Sequence, residues 1–255
     1  MLKIKYRHSA SKGNTFIDSP PFWIINNLYE FDSKANARMK MGSTAEDAAN
    51  HALQNQITDE DVINDYAKTQ YVEKYKGNEE DTECAWSGII ANKFVQNLPE
   101  FGKIVSWQNE LQIPGTKYGL EYDIIGKTDF EFKDVIVDTK ATAYIRRLKA
   151  GHVDPKWYPK AADLRQQFLY KELFKKETML LYCSPKDVYT TDLEGRSGYL
   201  EELLNGFRTI EHILKIAKTK EDIVRMYPLT LDNFRWKGSP DAAEFAKDIW
   251  SKAFK

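Results

Sequence analysis

Two aspartates and a lysine, Asp129, Asp138 and Lys140, lie close together in residues 126–140. That segment reads as strand, turn, strand. With the turn centred on Lys133-Asp134, Phe132 faces Val135, Glu131 faces Ile136, Phe130 faces Val137 and Asp129 faces Asp138. Two carboxylates directly opposite each other destabilise a strand pair. A slip in register would separate them, but the hydrophobic pattern fixes the register. A divalent cation held between the carboxylates removes the conflict. Lys140 follows Asp138 by two residues, so the strand period puts both side chains on one face. The apolar run Val135-Ile136-Val137 leads the chain to this point. Carboxylates bind metal, and a lysine ammonium can orient a water or stabilise charge developing on phosphorus. An isolated Asp-x-Lys triplet would read as a surface salt bridge. Here it ends an apolar strand and is matched by a second Asp in hairpin register.

Residues 144–160 follow directly. They hold Arg146, Arg147, Lys149, Lys156 and Lys160 against a single acid, Asp154. Tyr144, Trp157 and Tyr158 are interleaved with them, as groups that stack on bases or contact sugars would be. The stretch stands at the mouth of the carboxylate–lysine cluster. Arg146, Arg147, Lys149 and Trp157 are the expected DNA contacts, with Arg165 a further candidate for phosphate. A solvated loop whose lysines only maintain solubility is the competing reading.

Asp129, followed by Asp138-Thr139-Lys140 after an apolar strand, resembles the PD-(D/E)XK nuclease superfamily, and within it the RecB-type and lambda-exonuclease-type enzymes. In that group the hairpin is followed by a helix bearing Gln-x-x-x-Tyr. Gln166 and Tyr170 match, and a spacing of four puts them on one helix face. An upstream Gly followed four residues later by His or Glu is matched by Gly42 and Glu46. The resemblance implies Glu46, Asp129, Asp138 and the backbone carbonyl of Thr139 as ligands for one or two Mg²⁺ or Mn²⁺ ions. It implies Lys140, Gln166 and Tyr170 as catalytic residues, with Lys140 orienting the water and the other two positioning the scissile strand. Ser43-x-x-Glu46 is also a capping box, which would give Glu46 a local task at a helix start. His51 is five residues beyond Glu46, about 140° around a helix, and cannot share its face. Some RecB-type proteins begin an iron–sulfur cluster with a Cys-Pro pair; this chain has Ser19-Pro20 and lacks the later cysteines, so no cluster is expected.

The elements that must hold these residues follow from periodicity. Residues 9–31 open with helix-capping serines, and 43–56 and 82–98 look helical. Strand-like runs cover 104–113, 122–132, 135–142 and 178–183, rich in Ile, Val, Phe and Tyr. Helices are expected over 161–176, 198–218 and 240–254. The expectation is an α/β fold, a restriction-endonuclease-like core with a central mixed sheet flanked by helices. No linker divides the chain, so a single domain over 1–255 is expected. Its catalytic core would cover about 100–185, with helical parts at 9–98 and 196–255.

The chain has 255 residues, enough to bury a core without staples. Its net charge is −1, from 37 basic and 38 acidic side chains, so any phosphate-binding surface must be a local patch. Cys84 and Cys183 are the only cysteines, which excludes a disulfide scaffold and a four-cysteine metal site. No apolar run reaches the ~20 residues of a membrane span, and the first residues lack a signal-peptide core. A cytoplasmic protein is expected, in a bacterial host if phage-encoded, with DNA as partner and no membrane. The expected function is a Mg²⁺-dependent DNA exonuclease acting in recombination, repair or degradation. A structure-selective or restriction-like endonuclease and a silent DNA-binding protein are the alternatives. Strand preference, polarity, processivity, any homo-oligomer or recombination partner, and the role of residues 186–255 stay open.

Overall fold

The computed structural model describes residues 4–32, 34–156 and 158–255. Along the chain, strand β1 (His8–Ser9) leads into helices α1 (Ala10–Asp18), α2 (Pro20–Asn27), α3 (Ala37–Gln54), α4 (Glu60–Glu73) and α5 (Thr82–Asn97). Five strands come next: β2 (Ile104–Trp107), β3 (Glu110–Ile113), β4 (Ile124–Lys127), β5 (Phe130–Phe132) and β6 (Val135–Ala141). Helix α6 (Ala161–Phe174) then precedes β7 (Glu177–Cys183) and β8 (Val188–Thr191). Helices α7 (Tyr199–Ile216), α8 (Lys220–Met226), α9 (Phe234–Lys237) and α10 (Pro240–Ala253) close the chain. The result is a mixed α/β protein, with mixed sheets flanked by helices. Among the described residues no helix is long and apolar enough to cross a membrane.

The residues fall into two compact units. One comprises Met1–Lys34, Leu111–Gly126 and Arg196–Lys255. Ser9 and Ser19 cap α1 and α2, accepting from the backbone N–H groups of Lys12 and Phe22, and Pro20 opens α2, where a missing N–H costs nothing. Trp23, Ile24 and Ile25, all fully buried, pack with Ile210 and Leu214 of α7 and with Trp236. In the same unit buried His8 meets the Glu211 carboxylate at 2.9 Å and stacks on Phe207.

The other unit, Ala35–Glu110 and Lys127–Gly195, holds every residue of the expected metal and catalytic set. Its five-stranded sheet runs β2-β5-β6-β7-β8. The β5–β6 hairpin is antiparallel, and β6 and β7 are parallel, joined through α6. Phe130, Phe132, Val137, Leu181 and Cys183 share a core with Met41, Ala45, Ala48, Ala49 and Ala52 of α3. Those five helix residues recur at helical spacing, and the alanines let α3 lie close to its neighbours.

Several boundaries differ from expectation. Helix α3 starts at Ala37, capped by the Asn36 side chain on Met39 N–H, not at residue 43. Gly42 is therefore inside the helix; glycine is a poor helix former, and there it looked like a boundary. Helix α4, capped by Asp59, was not anticipated. The runs 104–113 and 122–132 are each broken, the first at Gln108, whose φ is 46°. The breaks are tied together by backbone bonds from Gln108 N–H to the Asp129 carbonyl (3.1 Å) and from Thr128 N–H to the Asn109 carbonyl (3.0 Å). Each break falls on a short polar stretch, Gln108-Asn109-Glu110 and Thr128-Asp129, and strand-like residues resume directly after it.

Candidate active site

The hairpin register is the expected one: Phe130 pairs with Val137 and Glu131 with Ile136. Continuing it brings Asp129 opposite Asp138. The Asp138 side chain is fully buried. Its Oδ1 accepts from Gln166 Nε2 at 3.0 Å, and its Oδ2 is ion-paired with the Lys140 ammonium and has no other donor among the described residues. Lys140 Nζ also donates to Gln166 Oε1 at 3.3 Å. The same Gln166 Nε2 donates to the Tyr170 hydroxyl at 2.8 Å, and that hydroxyl donates to the Lys127 carbonyl at 2.5 Å. One amide thus meets a carboxylate, an ammonium and a phenol. Its orientation is assigned by this network, since only the oxygen can face the ammonium. Asp129 Oδ2 accepts from the Thr139 N–H at 2.8 Å and from the Thr139 hydroxyl at 3.2 Å.

The β6–α6–β7 connection produces this arrangement. Strand β6 carries Asp138 and Lys140 on one face, and α6 returns across that face with Gln166 and Tyr170 one turn apart. The start of α6 is fastened to the sheet by Tyr182 of β7, the strand partner of Lys140. Its hydroxyl donates to Asp163 Oδ2 at 2.6 Å.

The electrostatics follow from burial. Asp138 is pushed up to about 8, first by desolvation and then by the charges of Asp129 and Asp163, against the pull of Lys140. Asp129 is pushed up to about 6 by desolvation and by Glu46, against Lys140 and the Thr139 hydrogen bonds. Burial works against a charge on Lys140, but Asp138, Asp163 and Asp129 outweigh it and hold the ammonium above its usual range. Glu46 is also raised, chiefly by desolvation, while its hydrogen bond from Gln108 Nε2 (3.3 Å) opposes the shift.

Among the described residues no three carboxylate, imidazole or thiol side chains form a ready-made cage for a metal. The donors nevertheless suit a hard divalent cation. They are carboxylate oxygens, of the kind that Mg²⁺ and Mn²⁺ take. Glu46, Asp129 and Asp138 act on one another electrostatically, and Lys140 is the ammonium set against them. A cation at these three carboxylates would relieve the penalty that raises their pKa values.

The structure redistributes several expected roles. The capping-box reading of Glu46 is corrected: Ser43 is in the second turn of α3, and Asn36 is the cap. His51 stacks on Tyr66 with ring centroids 4.0 Å apart, in keeping with a packing role. Tyr170 is buried, and its hydroxyl is spent on the Lys127 carbonyl and on Gln166. Its immediate task is to hold Gln166, not to touch a strand. Arg165, expected at phosphate, is instead 6% exposed. Consecutive helix residues point about 100° apart, so an edge position for Gln166 turns Arg165 inward. Arg147 makes a two-pronged contact with Asp187 (2.5 and 2.8 Å), and Arg146 pairs with Asp154 at 3.3 Å. Much of their charge is therefore answered within the protein. Lys149 and Lys156 are exposed and have no acidic partner among the described residues. Trp157 lies outside the described residues. Asp163, Tyr182 and Gln108 were not anticipated. Asp163 was legible, three residues before Gln166 on the same helix face; Asp187 was not, being 40 residues from Arg147.

No family model matches the chain, and no curated protein matches it. Among solved structures it is similar to one titled "Crystal structure of SSO0001", at 12% identity over 88% of this chain and 84% of that one, with a TM-score of 0.43.

Proposed function

We propose that this chain is a metal-dependent deoxyribonuclease on a restriction-endonuclease-like core, and specifically an exonuclease that hydrolyses phosphodiester bonds in DNA degradation, repair or recombination. The observation that carries the reading is the Gln166 amide, bonded at once to Asp138, Lys140 and Tyr170. In sequence these residues form a Gln-x-x-x-Tyr helix motif and an Asp-x-Lys strand motif, and a structural salt bridge would not need the helix. Glu46, Asp129, Asp138 and the Thr139 carbonyl would hold a divalent cation, which when bound polarises a phosphodiester and lowers the pKa of water. Lys140 is the one basic group of the cluster and stays protonated there. Its ammonium donates to a water or to a phosphate oxygen, and Asp138 and Gln166 fix its direction. Tyr170 locks the amide, and the lysines of 144–160 guide the phosphate backbone. A cytoplasmic, phage-type recombination setting suits such a nuclease.

The test is incubation with end-labelled linear and with circular DNA, single- and double-stranded, in Mg²⁺, Mn²⁺ or EDTA. Stepwise loss of nucleotides from linear DNA, abolished by EDTA and by Asp138→Asn, is the expected result. Cutting of circles would make the enzyme an endonuclease. No cleavage of any DNA with either metal refutes the reading.

A further inference from the structure

The segment after β6 is a built platform and not a slack loop. The chain turns at 148–151: Leu148 N–H bonds the His152 carbonyl at 2.8 Å, and Gly151 N–H bonds the Leu148 carbonyl at 2.9 Å. Gly151 has a φ of 85°, a conformation that favours glycine. Arg147 and Val153 form an antiparallel bridge, and Asp154 N–H bonds the Arg146 carbonyl at 2.9 Å. Arg147 then fastens this small hairpin to Asp187 with both prongs and also donates to the Gly151 carbonyl at 2.8 Å. At the base, the Tyr144 carbonyl accepts from the Tyr158 hydroxyl at 2.9 Å and from the Thr142 hydroxyl at 3.1 Å. Ile145 and Tyr158 are buried beneath it.

On this fixed backbone Tyr144 is 61% exposed and Leu148 48%. An anchored main chain carrying an unburied aromatic ring is what a pre-organised contact requires. The charge around it narrows the occupant. Arg146 and Arg147 are paired with acids, so Lys149 at the hairpin tip, Lys156 and Lys160 remain for phosphate. Three such charges are fewer than the roughly 6–10 phosphate contacts of a strong duplex binder, and the exposed ring supplies the other part. Stacking on a ring requires a base with an open face, and the bases of a duplex are closed to it except at an end. Tyr144 follows Lys140 by four residues, at most about 14 Å of chain. At about 3.4 Å per stacked nucleotide, that is within about four nucleotides of the catalytic lysine.

We infer that residues 144–154 form a stacking platform for unpaired DNA, with Tyr144 taking a base and Lys149 its phosphate. The inference rests on the reading that the chain acts on DNA. It names the substrate as a single strand or a single-stranded end, bound with little sequence preference.

The experiment is fluorescence anisotropy in EDTA, where nothing is cleaved, using a labelled single strand and a blunt duplex of the same length. The parent protein is expected to bind the single strand more tightly. Tyr144→Ala should weaken single-strand binding by about 5- to 150-fold, the loss typical of one stacked base, and Tyr144→Phe should retain it. The salt dependence should stay unchanged in Tyr144→Ala and flatten by about 0.7 in logarithmic slope in Lys149→Ala. Unchanged affinity in Tyr144→Ala, or a parent protein that prefers the blunt duplex, overturns the platform while leaving the nuclease reading standing. If no DNA binds and none is cleaved in Mg²⁺, both readings fall together. The ring is exposed, so equal melting temperatures of parent and variant verify that the fold is intact.

Discussion

Replacing Asp138 by Asn should make the metal-free protein more stable, the reverse of what removing one partner of an ion pair usually does. The perturbation keeps shape and deletes a buried charge set against Asp129, at the expense of one acceptor: the amide oxygen can take the hydrogen bond from Gln166 or face Lys140, not both. Asp138 is raised from 3.8 to about 8, and that shift already includes the attraction of Lys140. At about 1.4 kcal/mol per pKa unit, a fully ionised Asp138 costs the folded state at most about 6 kcal/mol. Relaxation and water entry in the folded protein cut such penalties, and about half, roughly 3 kcal/mol, is the expected gain. The folded pKa is above the unfolded one, so this carboxyl's contribution to stability is full below pH 4. It is lost as pH rises through 8. The gain of the Asn variant over the parent should therefore be small near pH 4, grow as pH rises, and be complete above pH 8. For a chain of this size, 3 kcal/mol corresponds to about 6–12 °C in Tm. The assay is thermal unfolding in EDTA at pH 5 and pH 8.5, repeated with Mn²⁺. Mn²⁺ should raise the Tm of the parent and leave the variant unmoved, because a cation that binds only the folded state stabilises by mass action. An Asn variant that melts below the parent in EDTA at pH 8.5 would show that the Asp138–Lys140 pair is a structural brace. Equal Mn²⁺ stabilisation of both proteins would remove Asp138 from the metal site.

Lys140→Ala should lower turnover by about 10²–10³ while DNA affinity in EDTA stays within a few-fold, and normal turnover with poor affinity would move the lysine to the binding surface. Mn²⁺ affinity should climb between pH 5 and pH 8.5, because Asp129 and Asp138, raised to about 6 and about 8, must shed protons to bind; calorimetry in buffers of different ionisation heat should detect their release, and a pH-independent affinity contradicts the assignment. Gln167 is wholly buried in α6, with neither amide atom bonded among the described residues, so Gln167→Met should raise stability by about 1–2 kcal/mol in urea unfolding; a lower midpoint would show that the amide is satisfied in solution.

The part of this protein legible in its sequence is the part governed by short-range rules. Alternation along 130–137 sets the β5–β6 register, and a buried strand followed by an amphipathic helix and another buried strand sets the β6–α6–β7 unit. From these two facts alone Asp129 comes opposite Asp138, and Gln166 comes to the face that holds Lys140. In sequence Gly42 and Ser43 look like the boundary of α3, whereas the apolar stripe continues through them. The breaks at 108–109 and 128–129 are brief polar interruptions between strand-like residues, too short to separate two strands by pattern alone.

Charge was the other limit of the sequence. Counted along the chain, residues 144–160 look strongly basic, but Arg147 is answered by Asp187 from beyond β7. Tyr170, whose spacing suggests a substrate contact, is buried with its hydroxyl on the Lys127 carbonyl. Residue type and spacing determined which groups could meet, because strand and helix periods act over a few residues. Which charges remain for a ligand, and which polar groups are spent inside the protein, was decided by tertiary structure alone, because Coulomb pairing and burial depend on distance in space and are indifferent to distance along the chain.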